Sequence, residues 1–238
     1  MNIRLHFIVE GQTEEAFVNT VLSPHLATVG VIADARCVEF SRRRQHLFRG
    51  GVRQYAKLRA DLWRWIRQDS KPDAYFTTMV DLYGLDRLED EFPGYDQAER
   101  YHDPHQRVIA LERSMAEDVD YHRFIPYLQL HEYEALLFAD PAKLDWQFSE
   151  HEDAIARLQH VREGFETPEH IDDGSETAPS KRIIREIPEY EHQKVSAGPI
   201  VAGKIGLAVL RRECRHFNDW LRVLEELPQR VSTRSSEE

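Results

Sequence analysis

The chain has 238 residues, 41% of them hydrophobic, with 42 acidic against 31 basic side chains and a formal net charge of -11. That length can bury a core in one large α/β domain or in one domain with an appendage, while the acidic balance argues against indiscriminate coating of DNA or anionic membrane and leaves room for a local basic surface. Only Cys37 and Cys214 are present, which excludes a disulfide framework or a cysteine zinc cluster; no stretch has the ~20 apolar residues of a spanning helix or the layout of a signal peptide, so a cytoplasmic protein is expected.

Ile3 to Val9 is rich in β-branched and aromatic residues and reads as a strand that stops at Glu10 and Gly11. Thr13 then caps a helix whose face is Phe17, Val18, Val21 and Leu22. Val31 to Phe40 predicts a second strand and Val52 to Gln68 a helix. Asp73 to Gly84, apolar almost throughout, predicts a central strand of a parallel sheet. After a polar insertion, a connecting helix starts at Pro104, Arg123 to Leu130 gives a fourth strand, and Tyr133, Leu136 and Leu137 stand at helical spacing. Strand and helix alternate, so the expected fold class is α/β: a mostly parallel sheet flanked by helices.

Beyond Asp140 only helices are expected, near Glu152 to Arg162, from Pro179, and around Leu207 to Leu227. This divides the chain into a core over 1–140, a helical C-terminal part over 141–228 packed on it, and a tail over 229–238 with no apolar anchor.

Chemistry emerges at the strand ends. Ligands of open parallel sheets bind outside the carboxyl ends of the strands, and Glu10, Asp81 and the pair Glu132 and Glu134 all follow such ends. Any one of these acids could equally cap a helix or solvate a loop. Together they would repel one another unless a divalent cation neutralised them, and oxygen-only ligands favour Mg²⁺ or Mn²⁺. Glu14 can face the same ion, whereas Glu15 is rotated away by ~100° of helix.

The strings VEGQTE, MVDLYG and LHEYEALLF, with APSKRI and GPIVAGKIGLAVLRRECRHFNDWL further on, resemble the TOPRIM-type domain of a bacterial family catalogued as domain of unknown function 4276, related to the overcoming-lysogenization-defect nucleases. The resemblance covers nearly the whole chain, and HEYEALLF is its most specific part. It implies a TOPRIM-like, Rossmann-like fold and metal-dependent phosphodiester hydrolysis on DNA or RNA. Residue by residue, it implies that Glu10 binds metal or handles a proton, that Glu14 is the second acid of the nuclease version, and that Asp81 is the first aspartate of the Asp-x-Asp motif. The second position is Tyr83, so that ligand is missing or comes from Asp86, Glu132 or Glu134. A lysine balances phosphate charge in the related nucleases; Lys181 leads here, ahead of Lys194 and Lys204. Families of this type accompany an ABC-like or SMC-like ATPase in anti-phage defence, which implies an ATPase partner, and a homodimer is compatible with the resemblance. The alternative is a catalytically inactive TOPRIM-like interaction or regulatory module bound to an ATPase.

A basic stretch bears on the substrate. Arg42, Arg43, Arg44, Arg49, Arg53, Lys57 and Arg59 follow one another without an acidic residue, and a phosphate backbone is a natural partner for them. On the helix, Arg53, Lys57, Arg64 and Arg67 share one arc opposite Leu58, Leu62, Trp65 and Ile66. A solvated helix face is the plain alternative. GPIVAGKI, residues 198–205, nearly spells a phosphate-binding loop, but Ile205 stands where Ser or Thr would hold Mg²⁺. His102, His105 and His131 lack further ligands at zinc-like spacing and read as loop or surface residues, with His131 able to support Glu132. Trp63, Trp65 and Trp220 read as core.

Overall fold

Strand β1 (Ile3–Val9) shows how the sequence builds two layers. Ile3, Leu5, Phe7 and Val9 face one apolar core while Ile8 faces another, the period-two alternation of a strand covered on both faces. The computed structural model describes residues 2–38, 55–82, 92–171 and 177–234. Within them β1 pairs in parallel with β2 (Val31–Cys37) and with β3 (Ala74–Asp81). On its far side β3 pairs in parallel with two short strands, β4 (Phe124–Ile125) and β5 (Leu128–Gln129), so the sheet order is β2-β1-β3-β4, with β5 also on β3. The expected α/β class with a mostly parallel sheet holds.

The chain leaves β1 through α1 (Gln12–Phe17), a π-helical turn (Val18–Leu22) and α2 (Ser23–Ala27), and enters β2 on one side. It then passes through α3 (Tyr55–Gln68) to β3 on the other side of β1, and leaves β3 through α4 (Tyr95–Ala98) and α5 (Pro104–Val119) toward β4. The connections after β1 and β3 therefore diverge, and the carboxyl ends of these two neighbours flank the topological switch point.

The two faces are filled differently. One carries α3 and α5, with Leu58, Leu62, Val108, Leu111 and Met115 packed on Ile8, Phe76 and Val80. The expected apolar arc of α3, Leu58, Leu62, Trp65 and Ile66, is buried. The other face carries α1 and α2 together with residues of the C-terminal half: a 3₁₀ helix (Tyr133–Ala139), α8 (Tyr190–Ile205), α9 (Leu207–Glu213) and α10 (Arg215–Glu225). Trp65 and Trp220 are buried as expected; Trp63 is half-buried against Tyr121.

Several boundaries differ from the sequence reading for identifiable reasons. The helix after β1 is capped by Gly11, not Thr13, and Gly11 has an extended backbone (φ -150°) rather than a left-handed one. The fourth strand is split: Pro126 interrupts it, and two threonines of β3 take over the lapsed backbone bonds. Thr77 Oγ1 donates to the Ile125 carbonyl at 2.7 Å, while Thr78 Oγ1 accepts from the Tyr127 N–H and donates to its carbonyl, both at 2.9 Å.

Helix α8, which the sequence reading did not separate from the helix expected from Pro179, carries Gly198-Pro199 in its interior, a pair that ordinarily marks a break. The final helix is three segments, α9, α10 and α11 (Leu227–Arg234), the last of which extends into the stretch expected to be a tail. The remaining helices are α6 (Glu152–Glu163), α7 (Pro179–Glu186) and 3₁₀ turns at Pro141–Trp146 and Pro168–His170. Among the described residues, no helix is long and apolar enough to cross a membrane.

Candidate metal centre

The switch point is acidic. Glu10 directly follows β1 and Asp81 ends β3, and the backbone N–H of Asp81 donates to Glu10 Oε2 at 3.0 Å. Glu14, at the third position of α1, turns back so that its Oε2 accepts from the Gly11 N–H at 2.9 Å, half of a capping box. Gly11 earns its place by space, since a Cβ there would stand 3.3 Å from that same carboxylate oxygen.

The second wall comes from the segment after β5. His131 adopts a left-handed backbone (φ 61°), a conformation disfavoured for a residue with a Cβ, and it swings Glu132 and Glu134 back toward the sheet edge. Glu132 Oε2 accepts from the Ser180 N–H at 2.9 Å, in the first turn of α7. Glu134 Oε1 lies 3.2 Å from Lys194 Nζ and 3.4 Å from the Tyr190 hydroxyl, both on α8.

The five carboxylates feel one another. Burial, then repulsion from Glu10, pushes Glu14 up to about 8. Burial, with repulsion from Glu10, Glu14, Glu134 and Glu132, holds Asp81 well above the ordinary carboxylate range. Glu132 is raised by burial and by Glu134. Two buried oxygens in this field have no hydrogen-bond partner among the described residues: Asp81 Oδ1 and the Tyr133 hydroxyl, the latter with Glu14, Glu134 and Asp81 as its charged neighbours. An unpaired buried polar atom costs about 1–3 kcal/mol, so two in one acidic pocket are an expensive arrangement for packing alone.

The expected acids Glu10, Glu14, Asp81, Glu132 and Glu134 are thus brought to one sheet edge, and Glu14 rather than Glu15 faces it. Lys181, on α7 beside Ser180, forms no ion pair among the described residues; the lysine that reaches the acids is Lys194. Tyr133 and Tyr190 went unnoticed as site residues because aromatic spacing reads as core, which they also form. GPIVAGKI lies inside α8 and is no phosphate loop: a Cβ on Gly198 would stand 3.2 Å from both Thr13 Cγ2 and Tyr133 Cε1, so this glycine lets α8 press against α1 and the wall of the site.

Of the basic group, Arg42, Arg43, Arg44, Arg49 and Arg53 lie outside the described residues, as do Tyr83 and Asp86. Lys57 is half-buried on α3, Arg64 pairs with Asp61 at 2.8 Å, and Arg67 is exposed. Among the described residues, the set of His, Cys, Asp and Glu whose ligand atoms all lie within 4.8 Å of one another is Asp103, His105 and His170, away from these acids in sequence.

No curated protein and no solved structure matches the chain. A family model does match, over residues 9–225, and so spans β1's last residue, every acid named above and the helical C-terminal half: the chain belongs to the family described as Domain of unknown function (DUF4276).

Proposed function

We propose that the chain is a metal-dependent hydrolase of phosphodiester bonds, a nuclease acting on DNA or RNA. The observation that carries this reading is the pair Asp81 Oδ1 and Tyr133 hydroxyl, both buried without a hydrogen-bond partner among the described residues and set among five mutually repelling carboxylates at the switch point. The donor set is all oxygen, which fits Mg²⁺ or Mn²⁺; Glu10, Glu14 and Asp81 would hold the ion, with Glu132 and Glu134 on the opposite wall. When bound, such an ion polarises a phosphoryl oxygen and lowers the pKa of a water molecule.

The chain's own residues supply the rest. Lys194 offsets negative charge beside Glu134. Glu14, with its pKa near 8, holds a proton at neutral pH whenever no cation faces it, so a cation that binds there displaces that proton. The left-handed His131 fixes where Glu132 and Glu134 point. The TOPRIM relationship, the ATPase partner, a homodimer and a role in anti-phage defence rest on the resemblance set out above and belong to the same proposal, as does contact of the basic stretch from Arg42 with the nucleic-acid backbone.

A second reading has its own support. Glu10, Glu14, Glu132 and Glu134 each already accept from a protein donor, as a non-catalytic scaffold would require. Incubation of the protein with single-stranded DNA, duplex DNA and tRNA in Mg²⁺, Mn²⁺ or EDTA, beside Glu10→Gln and Asp81→Asn, separates the two. Cleavage that needs both the metal and the carboxylates supports the hydrolase; partner binding that survives both substitutions, without cleavage, supports the module.

A further inference from the structure

A second constellation lies at the start of α5. Asp103 caps that helix, its Oδ1 accepting from the His105 N–H at 3.0 Å, and Pro104 occupies the first turn. His105 Nδ1 stands 2.8 Å from Nε2 of His170, which ends the 3₁₀ turn Pro168–His170, and 3.7 Å from Asp103 Oδ1. Three ligand atoms from two segments that are distant in sequence therefore face one small volume.

What lies behind His105 decides which of its nitrogens faces that volume. Its other nitrogen, Nε2, is 2.9 Å from Oε2 of Glu169, a carboxylate with no exposure to solvent. Glu169 is itself pinned, its two oxygens accepting from the backbone N–H groups of His216 and Phe217 in the first turn of α10. A carboxylate fixed in this way takes the proton-bearing nitrogen of the imidazole and leaves the Nδ1 lone pair facing His170 Nε2, whose N–H donates to it while no cation is there. Metal-bound histidines are oriented by this kind of carboxylate behind the ring.

The geometry points to a divalent transition-metal site formed by Asp103, His105 and His170, of the zinc class and with an open coordination position, supported from behind by Glu169. Ligands around a tetrahedral Zn²⁺ at ~2.0–2.1 Å stand about 3.3 Å apart, and the observed 2.8 and 3.7 Å bracket that value. Two imidazoles and one carboxylate favour a borderline ion over Mg²⁺. Three protein ligands, of which Asp103 is exposed, leave the fourth place to water or a small anion. The site shares no residue with the acidic cluster, and its presence does not depend on the hydrolase reading.

The test uses the full chain stripped of metal, titrated with Zn²⁺ by calorimetry in excess Mg²⁺ and with Co²⁺ by visible absorption. One Zn²⁺ per chain is expected. His170→Asn, at a partly exposed position, should weaken it at least about tenfold and change the Co²⁺ bands; Glu169→Gln should weaken it about 10–100-fold. Circular dichroism verifies that each variant folds, with His170→Asn deciding the outcome if Glu169→Gln does not. Glu10→Gln should bind Zn²⁺ as the parent does. Absence of Zn²⁺ binding, or binding unchanged in His170→Asn, overturns the proposal.

Discussion

The backbone N–H of Asp81 donates to Glu10 Oε2, which ties the end of β3 to the residue after β1 and leaves Asp81's own carboxylate facing the other acids. Because that bond uses Asp81's backbone, Asp81→Asn removes the ionisable group without untying the strands. The variant should be more stable than the parent without metal at neutral pH, by about 1–3 kcal/mol, because the fold no longer has to force a proton onto a side chain that is ionised when unfolded, and it should lose the stabilisation that Mn²⁺ gives the parent. Urea denaturation with and without Mn²⁺ measures both.

Glu14 makes stability depend on pH in a definite direction. Its folded pKa of about 8 lies above its ordinary value of 4.5, so the folded chain holds a proton that the unfolded chain releases. Without metal, Glu14 should therefore lower stability as pH rises from 4.5 to about 8, by at most about 1.4 kcal/mol per pH unit, and Asp81 and Glu132, raised by the same causes, add to the fall. A divalent cation competes for the ionised form, so Mn²⁺ should raise the melting temperature more at pH 8 than at pH 5. Glu14→Gln should make both dependences shallower in thermal melts across that range.

Lys194 and Lys181 are separable by experiment. Lys194 lies 3.2 Å from Glu134 and competes with any cation for it. Lys194→Met should tighten Mn²⁺ binding about 3–10-fold, because an opposing positive charge is removed, while lowering any cleavage rate. Lys181→Met should leave Mn²⁺ affinity unchanged. Calorimetric titration of the two variants distinguishes them.

Thr78 is a structural test of the broken fourth strand. Its hydroxyl serves both the N–H and the carbonyl of Tyr127, and the site is fully buried. Thr78→Val leaves two backbone groups unsatisfied and should cost about 2–4 kcal/mol in urea denaturation, whereas Thr78→Ser keeps the hydroxyl and should cost less than half of that.

Much of the acidic site could be read from strand ends, because a glutamate or aspartate at the close of an apolar run is a local signal and the switch-point rule converts it into a place. Glu10, Asp81, Glu132 and Glu134 were found in that way, and helical rotation separated Glu14 from Glu15. What the local signals missed depends on chain segments meeting. Lys194 and Tyr190 reach Glu134 from α8, across 60 and 56 residues of chain that no local pattern joins. His105 was visible in the HDPH string, but its partner His170 is 65 residues away on a 3₁₀ turn with no periodicity to announce it. Pro126 hid in a run that otherwise reads as strand, and only the two threonines of β3 explain how the sheet tolerates it.

The central claim is that Glu10, Glu14 and Asp81, at the β1/β3 switch point and faced by Glu132 and Glu134, take up a divalent cation. Calorimetric titration of Mn²⁺ into the full chain and into Asp81→Asn and Glu10→Gln, with His170→Asn as the control for the separate histidine site, tests it most directly. The account predicts Mn²⁺ binding that is lost or weakened at least about tenfold in the two acidic variants and kept in His170→Asn. Equal Mn²⁺ affinity in the parent and Asp81→Asn would contradict it.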